Sequence, residues 1–281
     1  MELLTLLTEM LQQDASDLHL VVGQPPVFRR DGALVRREGP ALEADTMEAL
    51  LLPHLTEEAR TQLTLQHQDI EIALRLEGRV CRFHVYRERG HWAATIRPTP
   101  QKPPTLDLLF PEAEGIGQAL HSLLALPRGL ILVTGPTGSG KTTTCIGMLE
   151  TMNRTQARRI VTLEDPITYE LISKQSLITQ RSVGQDVTSF ARGAFSAFRE
   201  DLDVIFISEM RDLETVQYAF ALAESGHLVF ATLHLENATD AVNRLIEVFP
   251  EPRDLIRRMV ARNLVAVIAQ RLVARGDRPG R

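Results

Sequence analysis

Gly135-Pro-Thr-Gly-Ser-Gly-Lys-Thr142 constrains this chain more than any other stretch, because it fits the phosphate-loop pattern G-x-x-x-x-G-K-[ST]. The pattern carries physical meaning only between a strand and a helix. Gly129-Leu-Ile-Leu-Val-Thr134 is short, apolar and β-favouring, and predicts a buried strand entering the loop. The residues from Thr142 to Asn153 can run on as a helix. Glycines let the backbone turn tightly and aim successive N–H groups inward as an anion nest. The helix adds the positive end of its dipole. On this reading Gly135, Pro136, Thr137, Gly138, Ser139, Gly140, Lys141, Thr142 and Thr143 cradle the phosphates of ATP. Lys141 would reach the β- and γ-phosphates, and the Thr142 hydroxyl would bind Mg²⁺.

Composition narrows the remaining classes. The chain has 281 residues, 44% hydrophobic and 24% charged, as expected of a globular protein of one or two domains. No apolar run reaches the roughly 18 residues of a membrane span. The opening MELLTLLTEMLQQD is apolar at helical spacing but acidic, which makes it a helix rather than a signal peptide and points to the cytoplasm. Cys81 and Cys145 lie far apart without metal-ligand spacing, so neither a disulfide framework nor a zinc site is expected. The net charge of −5 argues against a nucleic-acid partner. Eight arginines against Asp254 and Asp277 from Arg253 to Arg281 read as a solvated or subunit-facing basic face, with an anionic partner as the alternative.

QKPPTLDLLFP divides the chain as a proline-stiffened linker over 101–111, without regular structure. Residues 1–100 read as an α+β domain, with strands over 17–22, 27–30, 69–76, 79–86 and 91–97 and helices over 1–13 and 43–66. Asp31-Gly32 and Glu77-Gly78 supply turns. Residues 112–281 alternate apolar strands (129–134, 159–164, 203–208, 227–232) with helices (142–153, 188–199, 212–225, 237–247, 252–272). Alternation of this kind predicts a mostly parallel sheet covered on both faces, with ligands beyond the carboxyl ends of its strands. In the last helix Leu255, Met259, Leu264, Val267, Ile268 and Leu272 suggest one buried face, with Arg258 and Arg262 outward.

Acids end two of these strands. In Asp203-Val-Ile-Phe-Ile-Ser-Glu209, four apolar residues form a buried strand and Glu209 follows one residue past its end. Facing a P-loop, such an acid can polarise the attacking water or hold magnesium through water. A surface glutamate is the plain alternative, and the P-loop favours function. Val161-Thr-Leu-Glu-Asp-Pro166 repeats the logic with Glu164 and Asp165, and Pro166 turns the chain into a loop. His227 begins and His234 ends the apolar run GHLVFATLH. A neutral imidazole near a γ-phosphate can donate a hydrogen bond and sense nucleotide state. A lone histidine is more often structural; its strand-end position moves His234 toward function and leaves His227 farther from the phosphates.

Together these motifs resemble those of the type IV pilus retraction ATPases in the secretion-ATPase superfamily, over nearly the whole chain. GPTGSGKTTT is similar to the family's Walker A motif, TLEDPI to its aspartate box, DVIFISEMRDLET to its Walker B motif and AESGHLVFATLH to its histidine box. SDLHLVVGQPPVFRRDG resembles the opening of the family's PAS-like domain; RFHVYRERG and IRPTPQKPPTL resemble its closing strands and linker. The resemblance implies an α/β protein: an N-terminal PAS-like α+β domain, then a RecA-like P-loop domain with a mostly parallel sheet. It implies a homo-hexamer that binds ATP between domains and subunits and drives pilus retraction. A pilus inner-membrane platform protein and a paralogous pilus ATPase are the implied partners, at the cytoplasmic face of the membrane. Glu209 would be the catalytic carboxylate and Glu164 its assistant at magnesium and water, either acid reaching the metal through water. His234 and His227 would form the histidine-box pair. Arg82 and Arg97 match positions proposed as arginine fingers, which stabilise transition-state charge; ordinary ion-pair arginines are the alternative.

Three stretches depart from the family pattern. ARGAFSAFREDLDV stands in place of a leucine-rich helix and a proline, so that region is expected to pack differently. SKQSLITQRSVGQD is closer to the accessory paralogue, which keeps an accessory or regulatory nucleotide-binding subunit as an alternative. The chain ends at Arg281, soon after IAQRLV, where the family continues through a further helical portion. A chain without it is expected to fold and bind ATP but to form rings weakly and support little or no retraction. Assembly and secretion ATPases, the other alternative, usually carry a longer N-terminal extension and a tetracysteine insertion, against which the two cysteines and early start argue.

Overall fold

Turn residues and alternating apolar positions build the first part of the chain as one antiparallel sheet. The computed structural model describes residues 2–66, 68–76, 79–99, 102–111, 114–247 and 253–273, which fall into two units that meet at about residue 101. The first contains α1 (Leu3–Gln12), β1 (Asp17–Val21), β2 (Val27–Arg30), β3 (Ala33–Arg36), α2 (Ala44–Leu51), α3 (Glu57–Leu65), β4 (Ile70–Leu76), β5 (Arg79–Glu88) and β6 (His91–Pro98). The strand order is β3-β2-β1-β6-β5-β4. Leu3, Leu6, Leu7 and Met10 of α1 share one core with Phe28, Phe83, Trp92 and Ile96.

Two sequence expectations fail in this unit. The helix expected over 43–66 breaks at a 3₁₀ turn, Leu52–His54. Pro53 cannot continue the helical ladder, and the Thr56 hydroxyl restarts it by accepting from the Ala59 amide at 3.2 Å. The edge strand β3 escaped the reading because all four residues are exposed and carry no alternation. The Glu77-Gly78 turn lies outside the described residues.

The second unit contains α4 (Leu106–Leu109), α5 (Glu114–Leu124), β7 (Gly129–Thr134), α6 (Lys141–Thr155), β8 (Arg159–Glu164), β9 (Leu177–Ser182), α7 (Phe190–Ala197), β10 (Val204–Ile207), α8 (Leu213–Glu224), β11 (Leu228–Leu233), α9 (Ala238–Glu247), α10 (Arg253–Asn263) and β12 (Leu264–Ala269). Its six strands run in the order β12-β7-β11-β10-β8-β9. Every pairing is parallel. Alternate residues feed two cores, as period-two side chains must. Leu130, Leu132, Val161, Leu163, Ile205 and Ile207 pack with α7 and α8. Ile131, Val133, Ile160, Val204, Phe206 and Phe230 pack with Met148, Leu149 and Met152 of α6. Both faces are therefore buried, as the unbroken apolar strands required.

Corrections here trace to tertiary contacts. The linker is not structureless: Leu106–Leu109 form a helical turn, Leu106 is 1% exposed, and its amide donates to the Thr151 hydroxyl at 3.0 Å. The helix expected over 252–272 stops at Asn263, and Leu264–Ala269 joins the sheet beside β7. LVAVIA has a strand's β-branched apolar character, but six residues after a helix cannot declare their period. Arg258 and Arg262 are exposed as expected, Leu272 is 41% exposed, and the Leu255 side chain lies outside the described residues. Among the described residues no helix is long and apolar enough to cross a membrane.

Candidate functional site

A parallel sheet gathers the carboxyl ends of its strands at one edge. Thr134 pairs in register with Leu233 and with Ala269, and Leu163 and Ala231 flank Ile207. The residues that follow, Gly135, Glu164, Glu209, His234 and Gln270, therefore emerge along that edge. His227 does not. It precedes β11, whose register partner at that end is Gly129, roughly 20 Å away at about 3.3 Å per residue. There its Nδ1 lies 2.9 Å from the Leu222 carbonyl and 3.0 Å from the Ser225 hydroxyl, capping α8.

The P-loop geometry follows from its glycines. Gly140 adopts φ +88° at the N-cap of α6, and Gly135 adopts φ +151° where a Cβ would lie 2.2 Å from the Gln270 carbonyl. Lys141 is 6% exposed and folds back over the loop, donating from Nζ to the carbonyls of Gly135 and Pro136 at 3.0 Å each. Burial pulls its pKa below the usual lysine value, against the opposing pull of Glu209. The Ser139 hydroxyl is buried without a hydrogen-bond partner among the described residues.

His234 joins the loop to the acid. Its Nδ1 lies 3.4 Å from Lys141 Nζ, and its Nε2 lies 3.1 Å from Glu209 Oε1. A carboxylate can only accept, so the ring turns an Nε2 proton toward Glu209 and presents its Nδ1 edge to the Lys141 ammonium. Arg211 Nη2 donates to the other oxygen of Glu209 at 2.6 Å. Burial alone would raise the Glu209 pKa; the Arg211 hydrogen bond and the charges of His234 and Arg211 outweigh it and hold the carboxyl below its ordinary value. Glu209 thus stays ionised at neutral pH, with its side chain 19% exposed.

Glu164 differs in kind. It is fully buried, and burial pushes its pKa up. Oε1 accepts from the Thr162 hydroxyl at 2.7 Å and from Gln180 Nε2 at 2.9 Å; Oε2 accepts from the Thr168 amide at 3.2 Å. It neighbours the first turn of α6, where burial and the Glu164 charge both raise the Cys145 thiol. Of the two acids, Glu209 is the more exposed.

Arg82 and Arg97 belong to the first unit, on β5 and β6, where they face each other in register. Arg97 Nε and Nη2 donate to Asp17 Oδ1 at 2.9 and 2.6 Å, and Arg82 Nη2 reaches Glu71 Oε2 at 3.5 Å. Asp17 is 3% exposed while the Arg97 side chain stays 64% exposed, so a buried acid anchors a surface guanidinium. Sequence reading missed Arg211, Gln180 and Gln270. Arg211 stood inside a motif without a role of its own, while Gln180 and Gln270 lie on or beside strands that carried no legible signal.

Residues 2–278 match the family of type II/IV secretion system proteins. The chain belongs to that family. It is 39% identical over 276 residues to the type IV pilus retractation ATPase PilT of Pseudomonas aeruginosa, covering 97% of this chain and 78% of that one. It is 34% identical to the type IV pilus ATPase PilU of the same organism, covering 100% of this chain and 72% of that one. A crystal structure of the pilus retraction motor PilT with bound ADP superposes with a TM-score of 0.91 at 38% identity, over 99% of this chain and 80% of that one. The resemblance read from the motifs is thereby established, together with the α/β fold class, and this member of the family is an ATPase.

Proposed function

We propose that the chain is the motor subunit of a homo-hexameric, Mg²⁺-dependent ATPase that drives type IV pilus retraction from the cytoplasmic face of the membrane, acting on a platform protein there. One observation carries this reading: Lys141, His234 and Glu209 form a connected chain at the mouth of a P-loop, from a phosphate-binding cation to an ionised acid. The residues also fit the nucleotide. The buried, unpartnered Ser139 hydroxyl is what a phosphate oxygen would satisfy, and a Cβ at Gly135 or Gly140 would deform the cradle. The Thr142 hydroxyl, next to the loop lysine, would offer magnesium a direct oxygen, and the metal's preference for waters and phosphate oxygens suits a site with few protein donors. Bound there, it would neutralise charge on the β- and γ-phosphates.

In this reading the Lys141 ammonium exchanges two backbone carbonyls for phosphate oxygens. Glu209 accepts the proton of the attacking water, and His234 Nε2–H keeps the carboxylate aligned. Glu164, saturated by its own donors, holds the aspartate-box loop and polarises the site from beneath. Arg82 and Arg97 serve as arginine fingers, presented by the neighbouring subunit. His227 caps α8. Lys141→Ala tests the assignment. ATP affinity, measured by titration calorimetry with Mg²⁺ present, should fall below detection, and unchanged affinity would overturn it. An accessory pilus subunit is the second reading, favoured by the stretch SKQSLITQRSVGQD. Steady-state turnover of the purified chain separates it from the motor.

A further inference from the structure

Gln270 touches the P-loop at both ends. Its amide N–H donates to the carbonyl of Thr134, the last residue of β7, at 2.8 Å. Its carbonyl oxygen fills the place where a Gly135 Cβ would stand, 2.2 Å from that position. Its side-chain Nε2 lies 2.8 Å from where a Gly140 Cβ would stand. Its Oε1 accepts the hydroxyl proton of Thr144, in the first turn of α6, at 2.8 Å. Thr144 is 2% exposed, so this bond is made away from solvent. One residue therefore braces the strand that enters the loop, its first and last glycines, and the helix that leaves it.

The placement is a product of β12. Because β12 runs parallel to β7 and ends in register with Thr134, the residue after it must arrive behind the loop. A glutamine suits the position chemically. Its carbonyl takes the Thr144 proton while its NH₂ packs over glycine backbone, and it adds no charge that would oppose an anion nest. A glutamate would place a negative charge beneath the phosphates.

We infer that Gln270 is a positioning residue of the nucleotide site, a strut that holds the P-loop in its phosphate-receiving shape through Thr144. The inference rests on the P-loop reading above and goes beyond it, since no part of the loop motif encodes the strut. An anion nest binds only when its N–H groups already converge; a loop left to sample other shapes loses affinity by the fraction of time spent in them.

The test is a double-mutant cycle on Thr144→Val and Gln270→Leu in the full chain, read as ADP affinity by calorimetry and as kcat and KM for ATP. Each single substitution breaks the same hydrogen bond from one side. Each should weaken ADP binding about fivefold to tenfold, with kcat within about twofold of the parent. The double variant should be no weaker than the weaker single, because the bond can be lost only once. Parent-like affinity in both singles, or additive losses in the double, would overturn the proposal. If Gln270→Leu does not fold, Thr144→Val decides alone, and parent-like ADP affinity in it refutes the strut. Lys141→Ala run alongside keeps the two ideas apart: normal nucleotide binding there refutes the P-loop reading itself, whereas loss there with an unperturbed cycle refutes only the role of Gln270.

Discussion

Glu209 has both carboxylate oxygens engaged, one by Arg211 and one by His234. Both contacts lower its proton affinity, and His234 also links it to Lys141. Glu209→Gln keeps the size and an acceptor oxygen but removes the negative charge. It should bind ATP with the parent's affinity and turn over at least about a hundredfold more slowly, as loss of a general base predicts. Near-normal turnover would move the role to Glu164, whose buried carboxyl would then have to exchange a protein donor for water. The strand-end position of Glu209, Glu164 and His234 was legible from apolar runs broken by polar residues. The placement of the His234 ring between Lys141 and Glu209 was not, because it depends on partners separated by 93 and 25 positions in the chain.

At the scale of elements, α6 is tied to the segment that follows the aspartate box. Glu150 is fully buried and receives Arg154, Lys174 and Asn153; the Asn153 amide also donates to the Ile172 carbonyl at 2.8 Å, and its oxygen accepts from the Lys174 amide at 2.9 Å. Burial would raise the Glu150 pKa, but Lys174, Asn153 and Arg154 outweigh it and hold it below the ordinary value. A depressed folded-state pKa stabilises above the unfolded value of about 4.3 and ceases to as pH falls through the folded one. Glu150→Gln should therefore cost about 1–3 kcal/mol at pH 7, discounted for the partial exposure of Arg154 and Lys174, with the two proteins converging at an acid pH below the folded-state pKa. Urea titrations at both pH values would check it, and an equal gap at both would remove the charge from the explanation. No sequence signal marks this cluster, since Glu150 occupies an unremarkable helical position and its partners come from a loop. β12 is the other lesson at this scale: its six residues read equally well as the end of a helix, and only pairing with β7 decides the matter.

For the whole molecule, the proposed action of the first unit's arginines at a neighbouring subunit's site can be tested in mixed rings. Arg97 is anchored by buried Asp17 with most of its side chain exposed, a fit posture for reaching another surface. If it acts across a subunit boundary, rings mixed from Arg97→Ala and Lys141→Ala chains should recover part of the ATPase activity that each lacks alone. Some interfaces would then pair an intact P-loop with an intact arginine. Absence of recovery at every mixing ratio, in rings shown to be mixed, would assign Arg97 to its own chain or to structure alone. The sequence by itself determined the P-loop, the alternation of apolar strands with helices, the acids that end two strands and the α+β pattern of the first unit, because these are local signals written in periods of two and 3.6 or in glycine spacing. Only tertiary structure decided the strand order, the edge strand β3, the strand character of Leu264–Ala269, the separation of His227 from the site and the arrival of Gln270 behind the loop. Each of those is settled by which distant segment lies alongside, and the free energy of that pairing appears only when the chain has closed on itself.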